Sequence, residues 1–491
     1  MGLSSIYKNI NLYIIVTIFC TSRIVYSFLF GLHFDESTLT SNWQYIDPPL
    51  LKGHLLQSVY YLHSQPPLFN LFMGGILKLF PHDHLQAFHL CFMLVGLLFF
   101  VSLFLVMTQM GVRSGLSLFL TSLFMVSPII LEYENWLSYE YPTTAILTFS
   151  LLFLYRFTVD ERSRDCFTFF LLLVILIYIR GFFNLYWFLL IMSLLLMFYR
   201  RDWRKLLLAC LLPLTLVLAL YIKNYLIFNS FSTGDAQIGI NLARVVTDSL
   251  PPSSLKDLIA REKISGLNRE PAFSNDFLKY KSYGIRVEQT GIPVLDQKLK
   301  SSNCVNTHNL IYLEVGKIDI KDAIYVFKHY PGIVLKNCAS AFIKNYFLTA
   351  DITPVFYNSP RSKEWKELDN FFKIFFLGKQ NGGKFLFLMI GLPMLFSYGS
   401  FLVFRLFFSK HKNISIGVVI VFMMVTIICV ALISLFSWGD QNRYRFSVDP
   451  FYLILFGLLI NDLYSEAKTL CGRAVRLRGF TDIRYPSDQS M

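Results

Sequence analysis

The feature that most constrains this chain is the recurrence of long apolar runs, each close to the roughly 20 residues a helix needs to cross a bilayer. Ten such runs are read, at 9–31, 85–110, 114–131, 142–158, 166–180, 182–199, 206–228, 385–408, 414–436 and 449–465. A further apolar piece, Leu68 to Phe80, is too short to span and ends at Pro81, so it reads as a helix lying at the interface. The fold class expected is an all-α polytopic membrane protein with about ten transmembrane helices. Composition agrees: 16% of residues are charged, where soluble domains carry about a quarter, and mean hydropathy is +0.50.

Charge sets the topology. The net charge of +13 does not gather in one soluble region, which argues against nucleic acid as partner. It sits in short connectors between apolar runs, as the positive-inside bias requires. Asp160 to Arg164 and Arg200 to Lys205 are both basic, so an even number of crossings separates them; two short helices turning at Arg180 satisfy this. Arg113, the Lys410-His411-Lys412 turn with the Asn413-Ile414-Ser415 sequon, and a basic tail (466–491) then fall on the cytoplasmic side. Lys8 and the run after it imitate a secretory signal, yet apolar character resumes after Arg23, and an uncleaved first helix is expected. The expected organisation is a transmembrane module over 1–228 with a first outer loop at 32–67, a large non-cytoplasmic loop domain of mixed or mainly helical structure over 229–384, and closing helices over 385–465. Helix-like stretches in that domain are Ile318–Phe327 and Gly332–Tyr346. Only Cys304 and Cys338 of the eight cysteines share this hydrophilic region, which leaves a single disulfide there as an option, and no CxxC or Cys/His metal spacing occurs.

The chemistry-bearing residues lie on the outer side. Asp35 and Glu36 directly follow the first run, where adjacent carboxylates can act as a general base or hold a divalent cation; an acidic helix end at water is the plainer reading. His63 and Gln65 precede Pro66-Pro67. A short turn from Glu132 to Tyr141 holds three carboxylates, including Glu134, and four aromatics, including Tyr139; Trp and Tyr are expected at headgroup level, carboxylates are not. Arg23, Arg180 and the Arg443-Tyr444-Arg445 run are arginines at membrane level, where they are costly and mark a specific pairing or a function. Arg also suits bidentate contacts to phosphate oxygens. Carboxylates and arginines together fit a substrate with a phosphate, a lipid tail and a group to transfer.

Four short motifs then resemble the GT-C superfamily of membrane glycosyltransferases, especially the branch of protein O-mannosyltransferases and the bacterial aminoarabinose transferase of lipid A. They are Asp35-Glu36; Ser64-Gln65-Pro66-Pro67-Leu68; Lys223 to Phe228 with Gly239 to Leu242 beyond; and Asn442-Arg443-Tyr444-Arg445-Phe446. Ser127-Pro128 through Glu134-Asn135-Trp136 is also similar. The chain departs from the family at Ser447, where members often carry Pro. The resemblance implies inverting transfer of a sugar from a polyprenyl-phosphate donor to a lipid, glycan or protein acceptor. It implies Asp35 as general base with Glu36 beside it, Arg180, Arg443 and Arg445 at the donor phosphate, and His63, Gln65, Glu134, Tyr139 and Tyr444 lining the substrate cavity. Some relatives use a divalent cation; no metal constellation stands out here. The alternative is a transporter or flippase of a lipid-linked or amphipathic solute. The absence of a sequon in the large loop favours a bacterial inner membrane over the endoplasmic reticulum.

Overall fold

A computed structural model of the chain describes residues 3–270, 277–348, 360, 362–377, 380–381, 384–408, 414–437, 439 and 441–481. The Lys410–Lys412 turn and Asn413 lie outside the described residues. The architecture is helical; the only strands among the described residues are the two-residue pieces Gln380–Asn381 and Lys384–Phe385, paired antiparallel.

The first module comprises α1 (Leu3–Phe30), α2 (Leu68–Leu79), α3 (His84–Gln109), α4 (Ser114–Met125), α5 (Pro128–Glu134), α6 (Glu140–Asp160), α7 (Ser163–Ile179), α8 (Leu185–Phe198) and α9 (Trp203–Phe228). The loop domain is built on α10 (Asp235–Val245), α11 (Leu310–His329) and α12 (Pro331–Asn345). It is followed by α13 (Leu386–Phe408), α14 (Ile414–Leu435) and α15 (Asp449–Thr481). Six helices are long and apolar enough to cross a membrane, within α1, α3, α6, α9, α13 and α14; the α4–α5 pair, bent by 61°, makes a seventh if counted as one span. The remaining three expected spans are present as helices of a different character. The 17-residue α7 and 14-residue α8 are short, and the 33-residue α15 carries Asp462 and Glu466 in its middle.

The chain turns between α7 and α8 at Arg180–Asn184, and the Asn184 side chain caps α8 by accepting from the Trp187 amide at 3.0 Å. Helix bodies pack through aromatic and aliphatic side chains in one continuous core, from Ile15 in α1 to Leu458 in α15. Two glycines permit close approach where the fold needs it. A methyl on Gly96 would meet Tyr141 Oη at 2.5 Å and Glu134 Oε2 at 2.6 Å, while one on Gly239 would meet the Gly316 backbone at 2.3 Å, where α10 crosses α11.

At one end of the bundle the basic connectors share contacts: the Arg113 guanidinium lies 3.3 Å from the Tyr464 ring centre, and Thr158 O accepts from Ser415 Oγ at 2.8 Å. The loop domain sits at the other end. It grips the first outer segment through Asp47, which accepts from Gln297 Nε2 at 3.1 Å and from Ser301 N and Oγ at 2.8 and 2.7 Å. Thr307 Oγ1 donates to Trp43 O at 2.9 Å and Ser302 Oγ to Thr40 O at 2.8 Å. Cys304 and Cys338 are both free thiols, and Cys338 points into the apolar cluster of the loop domain.

Candidate active site at the loop-domain end

The segment 135–141, which leads into α6, organises the site. Its backbone pairs with the first outer segment: Asp35 N donates to Asn135 O at 2.8 Å and Leu137 N donates to Asp35 O at 2.9 Å. Thr38 Oγ1 adds a bond to Leu137 O at 2.6 Å. Asp35 is half-buried. Its Oδ1 accepts from Ser37 N at 2.6 Å, closing a turn that holds the carboxylate in place. Glu36 Oε1 pairs with His84 Nε2 at 3.1 Å, at the first turn of α3.

Three residues after Leu137 comes Glu140, the first residue of α6. An extended tripeptide spans no more than about 11 Å, so Glu140 is held near Asp35 by the chain itself. One oxygen of Glu140, Oε1, takes both Arg180 Nη1 at 2.5 Å and Arg443 Nε at 3.1 Å. The Arg180 guanidinium is enclosed by aromatic rings: Tyr139 at 4.4 Å, Phe182 at 5.0 Å and Tyr444 at 5.1 Å from its carbon. With only 5% of its surface exposed, Arg180 keeps its charge in a low-dielectric setting because an anion and ring faces replace its water. Beside it Gln44, Tyr45, Gln65, Pro66, Phe69, Asn70, Tyr139 and Ile179 close around a tight crevice too narrow to hold a water molecule. Tyr139 Oη donates to Gln44 Oε1 across it.

The other residues singled out from sequence fall elsewhere. Arg445 is buried and turns away from Glu140: its Nε donates to Asp449 at 2.9 Å, and its Nη1 donates to Tyr346 O and, at 2.9 Å, to Leu348 O. Glu134 is fully buried in a bidentate pair with Arg23, at 2.8 and 2.7 Å, and accepts from Tyr141 Oη at 2.6 Å. His63 is buried against the loop domain, with Nε2 2.9 Å from His308 O, while Ser64 Oγ is 2.5 Å from His308 Nδ1. Burial pushes His63 down to about 4 and His308 well below the usual imidazole range. Both rings are therefore neutral at pH 7.

Sequence reasoning did not single out His84, Asp47 or His308, and it marked Glu140 only as one of the three carboxylates of the 132–141 turn. Glu140 stands at a helix N-terminus, where the macrodipole favours an acidic residue anyway, so the turn gave no sign that it rather than Glu134 would meet Arg180. His84 stands in Pro81-His82-Asp83-His84, where the two-histidine spacing is the only signal. Among the described residues no group of three or more His, Cys, Asp or Glu side chains is arranged to hold a metal ion; Glu36 and His84 are two ligand types without a third.

No protein-family model and no curated protein matches the chain. Two solved structures are similar, both of the Archaeoglobus fulgidus oligosaccharyltransferase. One is tethered through a disulfide to an acceptor peptide containing the NVT sequon (10% identity, TM-score 0.36, 91% of this chain and 49% of that one). The other is the apo form (12% identity, TM-score 0.36, 97% of this chain and 53% of that one). This chain thus spans about half the length of each, and a TM-score of 0.36 is too low to assign a shared fold.

Proposed function

We propose that the protein is a membrane glycosyltransferase of the GT-C type, moving a sugar from a polyprenyl-phosphate donor to an acceptor on the loop-domain side of the membrane. The observation that carries this reading is the convergence of Arg180 and Arg443 on Glu140, on the same short segment that pins Asp35. Asp35 takes the proton from the acceptor hydroxyl as its oxygen attacks the anomeric carbon. The bond from that carbon to the phosphate oxygen breaks, and the lipid phosphate leaves with the electron pair. Arg180 and Arg443 stabilise the charge that develops on it, and the aromatic enclosure removes competing water. Gln65 and Tyr139 border the crevice beside Arg180, which has to open to take the sugar, and Tyr444 flanks the Arg180 guanidinium. Arg445 and Glu134 support this site from behind rather than line it, because their polar atoms face protein partners, and His63 is turned to the loop domain through its Nε2. Orientation follows the basic connectors, which place the loop domain outside the cytoplasm, with a bacterial inner membrane as the favoured setting.

The test is Asp35→Asn in cells and in purified form. Mass spectrometry of envelope glycans from cells carrying Asp35→Asn should match cells lacking the protein, a loss of about 10²–10⁴-fold in transfer. The purified variant in nanodiscs should still bind decaprenyl phosphate. Arg180→Ala should lose that binding. Undiminished transfer by Asp35→Asn would remove it from the mechanism.

One observation favours a second reading, a transporter of an amphipathic solute: the break between α4 and α5, where a span bends by 61°. Movement of a polyprenyl-phosphate sugar across proteoliposomes without sugar transfer to any acceptor would select it.

A further inference from the structure

Helix α12 is held at both ends by the loop-domain ends of spans. Near its start, Val334 and Cys338 pack in the apolar cluster that Leu435 and Phe436, closing α14, also join. Just beyond its end, Tyr346 O and Leu348 O accept from Arg445, which is tied to Asp449 at the start of α15, and Tyr346 Oη lies 3.4 Å from Tyr452 Oη. A 15-residue helix is about 22 Å long, so α12 reaches from the end of α14 to the start of α15. The last turns of α11 join it there, with Phe327 and Phe436 ring centres 6.1 Å apart.

Only a narrow stripe of α12 is packed: Val334 and Cys338 are buried, while Ile333, Leu335 and Ile343 are exposed. Leu335 exposes 45% of its surface, Ile343 47%, and Ile324 of α11 61%. Alongside stand exposed Lys321, Lys328, Lys336 and Lys344, and no acidic residue occurs between 323 and 348. Water does not reward such a surface, and the positive-inside bias opposes lysines on the side the topology assigns them. Apolar side chains flanked by lysines match the boundary between acyl chains and lipid phosphates.

We infer that the α11–α12 hairpin is an in-plane membrane anchor, whose exposed Ile324, Leu335 and Ile343 enter the leaflet on the loop-domain side while its lysines contact phospholipid phosphates. The anchor fixes the loop domain against the bilayer, and through Arg445 it fixes the helix turn that carries Arg443. The occupant is phospholipid. It is not another segment of this chain or a second copy.

The full chain, reconstituted in nanodiscs of phosphatidylethanolamine and phosphatidylglycerol, tests this directly. Photoreactive benzoyl-phenylalanine replaces Ile324 or Ile343, and Lys256, exposed on the helix Pro252–Ala260, serves as the reference position. Intact-protein mass spectrometry after irradiation should show phospholipid adducts at 324 and 343 in several-fold higher yield than at 256. Lys336→Glu with Lys344→Glu should lower that yield. A cross-link from 324 or 343 to another segment of this chain or to a second copy overturns the inference, as does a lipid yield no higher than at 256. The readout is adduct formation, so it stands apart from whether sugar transfer is the activity.

Discussion

A buried guanidinium is tolerated only with its partners complete, and four arginines here, Arg443 among them half-buried, show three ways of doing so. Arg23 is matched by both oxygens of Glu134, with Tyr141 as a further donor to that carboxylate. Removing one partner leaves an uncompensated charge, so Glu134→Ala should destabilise the folded protein by about 3–5 kcal/mol, read as a lowered thermal midpoint in detergent. Gly96→Ala should perturb the same network, because its methyl would displace the Tyr141 hydroxyl and the Glu134 carboxylate. Arg180 and Arg443 share Glu140, and Arg445 is spent on backbone carbonyls and Asp449. Residue spacing marked all four arginines as unusual; it held no information on which anion each would meet, since their partners lie between 4 and 303 residues away along the chain. The histidine pair gives a pH prediction. An unfolded imidazole protonates near 6.5, whereas folded His63 does so only near 4. The unfolded state binds the extra proton, so stability is full above pH 6.5 and falls as pH drops toward 4, by about 3 kcal/mol from His63 alone. Thermal unfolding between pH 7 and 4.5 should show this slope, and His63→Gln should flatten it.

Among elements, the strap 297–309 is the part that only the folded structure displays. It carries no hydrophobic periodicity and reads as plain loop, yet it binds the first outer segment through Asp47, Thr40, Trp43 and the His63–Ser64 pair. Asp47 takes three of these bonds on its two oxygens. Hydrogen bonds to a charged group contribute about 1.5–3 kcal/mol, so Asp47→Ala should loosen the strap and expose 297–309 to limited proteolysis while α10 and α11 stay protected. The helices themselves were legible for a different reason. Apolar runs and basic connectors are local properties, and the turn at Arg180 followed from the parity of those connectors before any contact was known. The break between α4 and α5 was less legible: 114–131 is apolar throughout, and Ser127-Pro128 is the sole local sign that the helix restarts there.

For the whole molecule, the orientation follows from charge asymmetry and is open to direct test. In intact cells a tag after residue 481 should resist externally added protease, and a protease site at Lys256 in the loop domain should be cut; the reverse pattern would invert the topology. The all-helical class and the order of the apolar helices along the chain were legible in the sequence alone, because transfer of apolar side chains into lipid is additive over a contiguous run. Which side chains meet was decided only in three dimensions. Glu140 gathers Arg180 from the end of α7 and Arg443 from ahead of α15, and the loop domain latches residues 40–64, because helix packing brings together positions whose distance along the chain carries no energetic signature until the chain has folded.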